Sequence, residues 1–353
     1  MNSSWKSFEK QIDEIKDHIK TLEDSQTLIN EAKSVEALPV EVTIPLNRID
    51  SRRNLEKTYE YRANVVSLYG AFEHFVEELI KEYVGELSAK CNRFQDLDDR
   101  IRKEYVERWK SLHTNVKKGH TKYPLDEFKM AKNMHDTLVG DSSNIMAECY
   151  IPIGGNYRHG AICEIMEGLG AINIKSNLKK YEPLKGYMNS QGYGDDVADM
   201  VLFHEIENLV ERRNEVAHGG SDNLLGDNEF DTMMNFVSIY AETLNNYMND
   251  ELYRVEWEKT KESAERSIDH RFLDGMVAVL TIANQTIRKG NKYIVKWPDG
   301  MYPRYMKMTI GEMHREEADG TAPQVDEVVA TENVVISIQV EKPVTDGCIF
   351  KFL

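Results

Sequence analysis

Leu209-Val210-Glu211-Arg212-Arg213-Asn214-Glu215-Val216-Ala217-His218-Gly219-Gly220 ends a strongly amphipathic stretch of this 353-residue chain. Upstream, Val197, Met200, Val201, Ile206, Leu209, Val210 and Val216 keep helical spacing, so one helix is expected over about 195–218. Gly219-Gly220 supplies its stop, because glycine adopts the left-handed conformation that closes helices. Arg213 and His218 stand on its last turns with four residues between them, the first of which is Asn214. Spacing alone is weak: 17 arginines and 10 histidines make about half a match expected by chance. A second match exists at Arg108-Trp109-Lys110-Ser111-Leu112-His113. The two differ in company, since the first has Asn after the arginine and the second a bulky Trp.

The surroundings are mostly helical. Downstream, Phe230, Met233, Phe236, Val237, Tyr240, Leu244, Tyr247, Met248 and Leu252 predict a helix over about 229–262. At the start, Trp5, Phe8, Ile12, Ile15, Ile19, Leu22 and Ile29 form a narrow seam, with Ser3 or Ser4 as N-cap. Such a seam suits a coiled-coil-like contact within the chain or between chains, and packing inside its own chain is the plainer reading. Residues 36–52, with Pro39 and Pro45, read as an extended connector. From about Ser51 a second long helix runs to about Leu87, with Leu55, Tyr59, Val66, Tyr69, Phe72, Phe75, Val76, Leu79, Ile80 and Tyr83 as its buried positions. A helix over 126–139 follows Pro124, and the Gly-, Asn- and Pro-rich segment 140–194 reads as loops around one or two short helices. Beyond about 270 the period shortens. Met276–Ile282, Lys292–Trp297, Arg304–Ile310, Val334–Val340 and Cys348–Leu353 read as strands of a small antiparallel sheet or barrel. The expected organisation is an N-terminal helix and connector (1–50), a helical domain (51–265) and a β-rich domain (270–353).

Composition removes several classes. Apolar residues make up 41% and charged residues 29%, enough for a core and against a disordered chain. No run approaches the ~20 apolar residues of a membrane span, and the N-terminus has no apolar signal region, so a cytoplasmic protein is expected. Cys91, Cys149, Cys163 and Cys348 form no CxxC pair, which points to buried thiols rather than disulfides or zinc. The net charge of −16 argues against non-specific coating of nucleic acid but permits a local basic groove. No P-loop, dinucleotide fingerprint or metal-ligand spacing occurs, so neither cofactor nor metal is expected. His204-Glu205-x-Glu207 lacks the second histidine of a zinc-protease helix and reads as surface.

Arg213-Asn214-x-x-x-His218 resembles the R-polar-x-x-x-H motif of the HEPN superfamily, helical domains that are often metal-independent endoribonucleases. The helix Leu68-Tyr69-Gly70-Ala71-Phe72-Glu73-His74-Phe75-Val76-Glu77-Glu78-Leu79 is similar to an early helix of the branch found in bacterial defence and toxin systems. The resemblance covers roughly 55–260, and the β-rich tail is more weakly similar to an extension of that branch. It implies a mainly α fold, an antiparallel helical bundle with a small C-terminal antiparallel β domain. It also implies a homodimer with a composite site, acting as a toxin or antiphage effector on RNA such as tRNA, with an antitoxin or regulatory partner.

The residue types fit that chemistry. RNA is cut without a metal when its 2′-hydroxyl attacks the adjacent phosphate, given a base, an acid and a cation. Arg213 suits the cation and His218 the proton transfers, while Asn214 can bond phosphate or hold its neighbours. Arg212 can add a phosphate contact, and Glu73 can reach the motif from the early helix; for both, an exposed charged face is the alternative. Cationic residues at a helix C-terminus also simply complement its dipole. Segment 100–132 carries ten Lys/Arg against four Asp/Glu. There Arg108, Trp109, Lys110, Lys117, Lys118 and Lys122 are candidate RNA contacts, or a solvated basic surface. Segment 287–307 (six Lys/Arg, one Asp) is a second patch. Two other readings stay open: a non-catalytic nucleotide- or RNA-binding or interaction module serving a partner, and a metal-dependent enzyme.

Overall fold

The computed structural model describes residues 2–35, 37–120, 122–140, 143–219 and 224–353. The chain divides into two compact units, one up to Asn245 and one from Asn246 onward.

The first unit is helical: α1 (Ser3–Lys33), α2 (Val40–Lys90), α3 (Asp99–Lys117), α4 (Glu127–Leu138), α5 (His159–Gly168), α6 (Ile174–Asn177), α7 (Leu184–Ser190), α8 (Asp199–Leu202), α9 (His204–Ala217) and the first part of α10 (Asp227–Lys259). Its axis is α2. Val65, Leu68, Phe72, Phe75, Val76, Leu79, Ile80 and Tyr83 recur at three and four residues and are almost wholly buried. α1 lies antiparallel along α2 within the same chain: Phe8 meets Phe75 at 5.1 Å between ring centroids, and Lys33 pairs with Asp50. Asn2, not Ser3 or Ser4, is the N-cap of α1; the Ser4 N–H and hydroxyl donate instead to the Glu82 carboxylate at 3.0 and 2.9 Å.

Three expectations are corrected. Residues 40–50 are helical rather than an extended connector: Pro39 is the N-cap of α2, and Pro45 is carried inside the helix as its sixth residue at the loss of one ladder bond. Leu55, Tyr59 and Val66 are exposed, not buried. α2 carries two neighbouring apolar stripes there, and Tyr61, Val65 and Leu68 face the core instead. The single helix expected over 195–218 is two, broken at Phe203 (φ −98°, ψ 18°), whose ring stacks on His159 at 3.6 Å; Met200 and Val201 are exposed.

The second unit adds ten antiparallel strands: β1 (Glu265–Ser267), β2 (His270–Phe272), β3 (Val277–Ile282), β4 (Gln285–Arg288), β5 (Lys292–Lys296), β6 (Tyr305–Thr309), β7 (Met313–Arg315), β8 (Glu327–Ala330), β9 (Val334–Gln339) and β10 (Ile349–Phe352). They form sheets β1-β10-β5-β6 and β2-β3-β9-β7 and the pair β4-β8. β3 and β9 run from Val277 opposite Gln339 to Ile282 opposite Val334. Ala278, Leu280, Tyr293, Val295, Trp297, Ile336, Ile338 and Phe350 fill the core. Gly275 (φ +88°) is required: a Cβ there would stand 2.3 Å from the Val344 carbonyl oxygen. Within this unit Asp250 of α10 accepts the Arg304 and Tyr305 N–H groups at 2.8 and 2.5 Å. All four cysteines are buried thiols outside any disulfide. Among the described residues no helix is long and apolar enough to cross a membrane.

Candidate functional site

α9 is seated by Ile206, Leu209 and Val210, all buried, and Glu205 and Glu207 in its first turn suit its positive end. Phe203, just ahead of it, meets Tyr240, which meets Phe72 of α2, both edge-on. Arg212, near its other end, donates to the Tyr61 hydroxyl at 2.8 Å. α9 therefore runs antiparallel to α2. It closes at His218, whose N–H donates to the Asn214 carbonyl at 3.0 Å. Gly219 follows at φ +79°, and Gly220 lies outside the described residues.

The adjacent arginines diverge. Arg212 bonds Asn208 at 2.9 Å and Tyr61, which makes it a brace between α9 and α2. Arg213 reaches the other way, its guanidinium carbon 4.9 Å from the centroid of the Tyr69 ring. Its Nη1 donates to Asn214 Oδ1 at 3.1 Å, and among the described residues it pairs with no carboxylate. His218 is exposed, and no hydrogen bond or ring contact of its side chain occurs among the described residues. No such contact joins it to Arg213 among the described residues.

Behind Arg213 lies a polar cluster. The Tyr157 N–H donates to the Tyr69 hydroxyl at 3.3 Å, and the Tyr157 hydroxyl donates to Glu77 at 3.1 Å. Glu77, 5% exposed, also accepts from Lys122 at 2.5 Å and Tyr123 at 3.0 Å. Glu73 takes the same lysine at 2.8 Å, so it serves Lys122 rather than the motif directly. Burial pushes the Tyr69 hydroxyl above its ordinary range, with the charges of Glu73, Arg213 and Lys122 all bearing on it. Burial pulls the Lys122 amine down, but its two carboxylates outweigh that and hold it above its usual value. Tyr69 was legible in the sequence only as a core position.

Half of the basic stretch, five of its ten Lys/Arg, is paired with carboxylates among the described residues, Arg102 with Asp99 and Lys122 with Glu73 and Glu77 among them. Arg100, Arg108 and Lys110 pair with Glu167, Glu104 and Glu107 at 3.3, 2.8 and 2.6 Å. Trp109 stacks on His113 at 4.9 Å, and His113 lies 3.7 Å from Glu127, so the second Arg–His match is engaged within the chain. Lys117 and Lys118, at the exposed end of α3, carry no ion pair among the described residues. In the second patch Arg288, Arg304 and Lys307 pair with Glu327, Asp299 and Glu256. Among the described residues no group of three or more His, Cys, Asp or Glu is placed to hold a metal ion.

A family model described as RiboL-PSP-HEPN matches residues 6–250. No curated protein matches the chain. Among solved structures, the chain is similar to the C-terminal domain of a Geobacillus thermoleovorans protein assigned to the U32 peptidases. That likeness is 12% identical, covers 26% of this chain and 93% of that one, and has a TM-score of 0.21, too slight to carry an argument.

Proposed function

The chain belongs to the RiboL-PSP-HEPN family, and from that premise we propose that it is an endoribonuclease that needs no metal. The reading rests on one observation. Arg213 keeps a guanidinium with no carboxylate partner among the described residues, on the same helix end as an exposed His218, whereas Lys122 and Arg158 are paired with carboxylates. A 2′-hydroxyl of the substrate loses its proton to an imidazole and attacks the adjacent phosphorus. The P–O5′ bond breaks, a second imidazole protonates the leaving oxygen, and a 2′,3′-cyclic phosphate and a 5′-hydroxyl result. Arg213, steadied by Asn214, faces the charge that builds on the phosphoryl oxygens.

Two imidazoles are needed and one chain offers one at this place, so the working form is a homodimer with a shared site. An unpartnered apolar face supports the second copy. Leu55, Tyr59 and Val66 are 54%, 62% and 49% exposed on α2, on the side that continues into Tyr69 and Glu73. Lys117 and Lys118, with Lys103, Lys129 and Lys132, are the exposed cations of the basic stretch that pair with no carboxylate among the described residues, and they would track a phosphate backbone. A toxin or antiphage role in the cytoplasm, tRNA as substrate, and an antitoxin or regulatory partner complete the proposal.

The test is cleavage of total RNA in EDTA by the wild type and by His218→Ala and Arg213→Ala. The wild type is expected to cut and each variant to lose at least ~10²-fold. Cutting that persists unchanged in both variants refutes the site, and activity lost in EDTA marks a metal enzyme. A second reading draws on His218, whose side chain makes no hydrogen bond or ring contact among the described residues: a module that binds RNA or nucleotide without cutting. Wild-type protein that binds RNA and never cleaves it would select that reading.

A further inference from the structure

An arginine that must meet a phosphate at the surface has two needs that conflict. It must be held, since a free guanidinium samples many rotamers, and it must keep its charge. A carboxylate holds an arginine but cancels its field, as happens to Arg108 on Glu104 and to Arg158 on Glu207. An aromatic face attracts the cation through its quadrupole and leaves the net charge and the N–H fork intact.

We propose that Tyr69 is the positioning residue for Arg213, acting on the transferred phosphoryl group through that guanidinium; this rests on the nuclease reading above. The ring is 2% exposed and the guanidinium carbon stands 4.9 Å from its centroid. The ring is itself fixed. Its hydroxyl takes the Tyr157 N–H, the Tyr157 hydroxyl binds Glu77, and Glu77 gathers Lys122 and Tyr123. A buried, hydrogen-bonded platform thus carries at its edge a cation that pairs with no carboxylate among the described residues. Arg213 uses one N–H of its fork on Asn214, and no hydrogen bond of the others occurs among the described residues.

The experiment compares Tyr69→Phe, which keeps the π face, with Tyr69→Leu and Tyr69→Met, which remove it in two shapes. Thermal midpoints check folding of each full-length variant. Steady-state cleavage of a short RNA is read beside the Arg213 Nε–H resonance, assigned with Arg213→Lys. Tyr69→Phe is expected to stay within about threefold of wild-type kcat and to keep the upfield ring-current shift. The two aliphatic variants lose the shift and roughly tenfold in kcat with little change in KM. In an Arg213→Lys background the same substitutions change kcat by less than about threefold, which a general structural defect would not do. Wild-type kcat in either aliphatic variant overturns the proposal. Should the wild type itself not cut, the nuclease reading falls. The resonance still decides the positioning, because a shift retained without the ring refutes it.

Discussion

Arg212 and Arg213 are neighbours with opposite work, and the difference lies in what α2 offers each of them. Tyr61 and Tyr69 are eight residues apart, about 12 Å along the helix, so the two side chains diverge along it. The sequence placed Arg213, Asn214 and His218 through a motif, but it had no means of separating a brace from a free cation. That separation is set by partners distant in the chain. Glu73 shows the same limit, since only the fold reveals that its charge is taken by Lys122. Glu77 carries the prediction at this scale. Glu77→Leu leaves Lys122, Tyr123 and Tyr157 without a common acceptor and is expected to cost about 2–3 kcal/mol in unfolding free energy. Glu73→Gln removes a partner of the same lysine at a part-exposed place and costs under about 1 kcal/mol. Urea titrations of the two variants check this; equal losses would deny Glu77 its role as the hub.

Among elements, α2 shows what periodicity can and cannot say. Spacing of three and four found the helix and the buried run from Tyr69 to Tyr83, because only one apolar stripe exists there. Between Leu55 and Val66 two stripes compete, and the choice belongs to α1 and α9, which pack on the Tyr61–Val65–Leu68 side. The β-rich tail divides the same way. Five of its strands, β3, β5, β6, β9 and β10, alternate or run apolar, whereas β1, β2 and β7 are three residues each, too short for any period to register, and the four-residue β4 and β8 bury only one and two residues. The stripe left outside gives the prediction. Leu55→Glu combined with Tyr59→Glu sets like charges against each other across a two-fold axis, while both positions face water in one chain. On the proposed dimer, light scattering at micromolar concentration is expected to show a dimer for the wild type and a monomer for the double variant. Helical content stays unchanged and cleavage falls with the dimer. A double variant that stays dimeric and fully active would move the interface elsewhere.

For the whole molecule, the net charge of −16 sits beside basic stretches of which about half the Lys/Arg are matched by carboxylates among the described residues. What composition could not show is where a buried titratable group ties the helical unit to pH. His159 opens α5 with 6% exposure, stacks on Phe203 ahead of α9, and shares a hydrogen bond of 3.1 Å with the Tyr240 hydroxyl of α10. Burial lowers its pKa from 6.5 to about 4, with nearby Asp199 and Glu207 opposing only in part. The folded unit therefore holds the imidazole neutral where the unfolded chain binds a proton. Above pH ~6.5 neither state is protonated and this group adds no pH dependence. Between 6.5 and 4 the unfolded state binds more protons, so stability falls with falling pH, by about 3 kcal/mol in all. Because His159 and Phe203 together seat the start of α9, that loss reaches the helix bearing Arg213 and His218. Urea unfolding at pH 7, 6 and 5, followed by pulsed hydrogen exchange on peptides from α5 and α9, is expected to show the decline steepening below pH 6. His159→Gln, which cannot take the proton, starts from lower stability but runs nearly flat over the same interval. Parallel slopes in the two proteins would mean that the acid limb comes from other groups and that His159 is only packing.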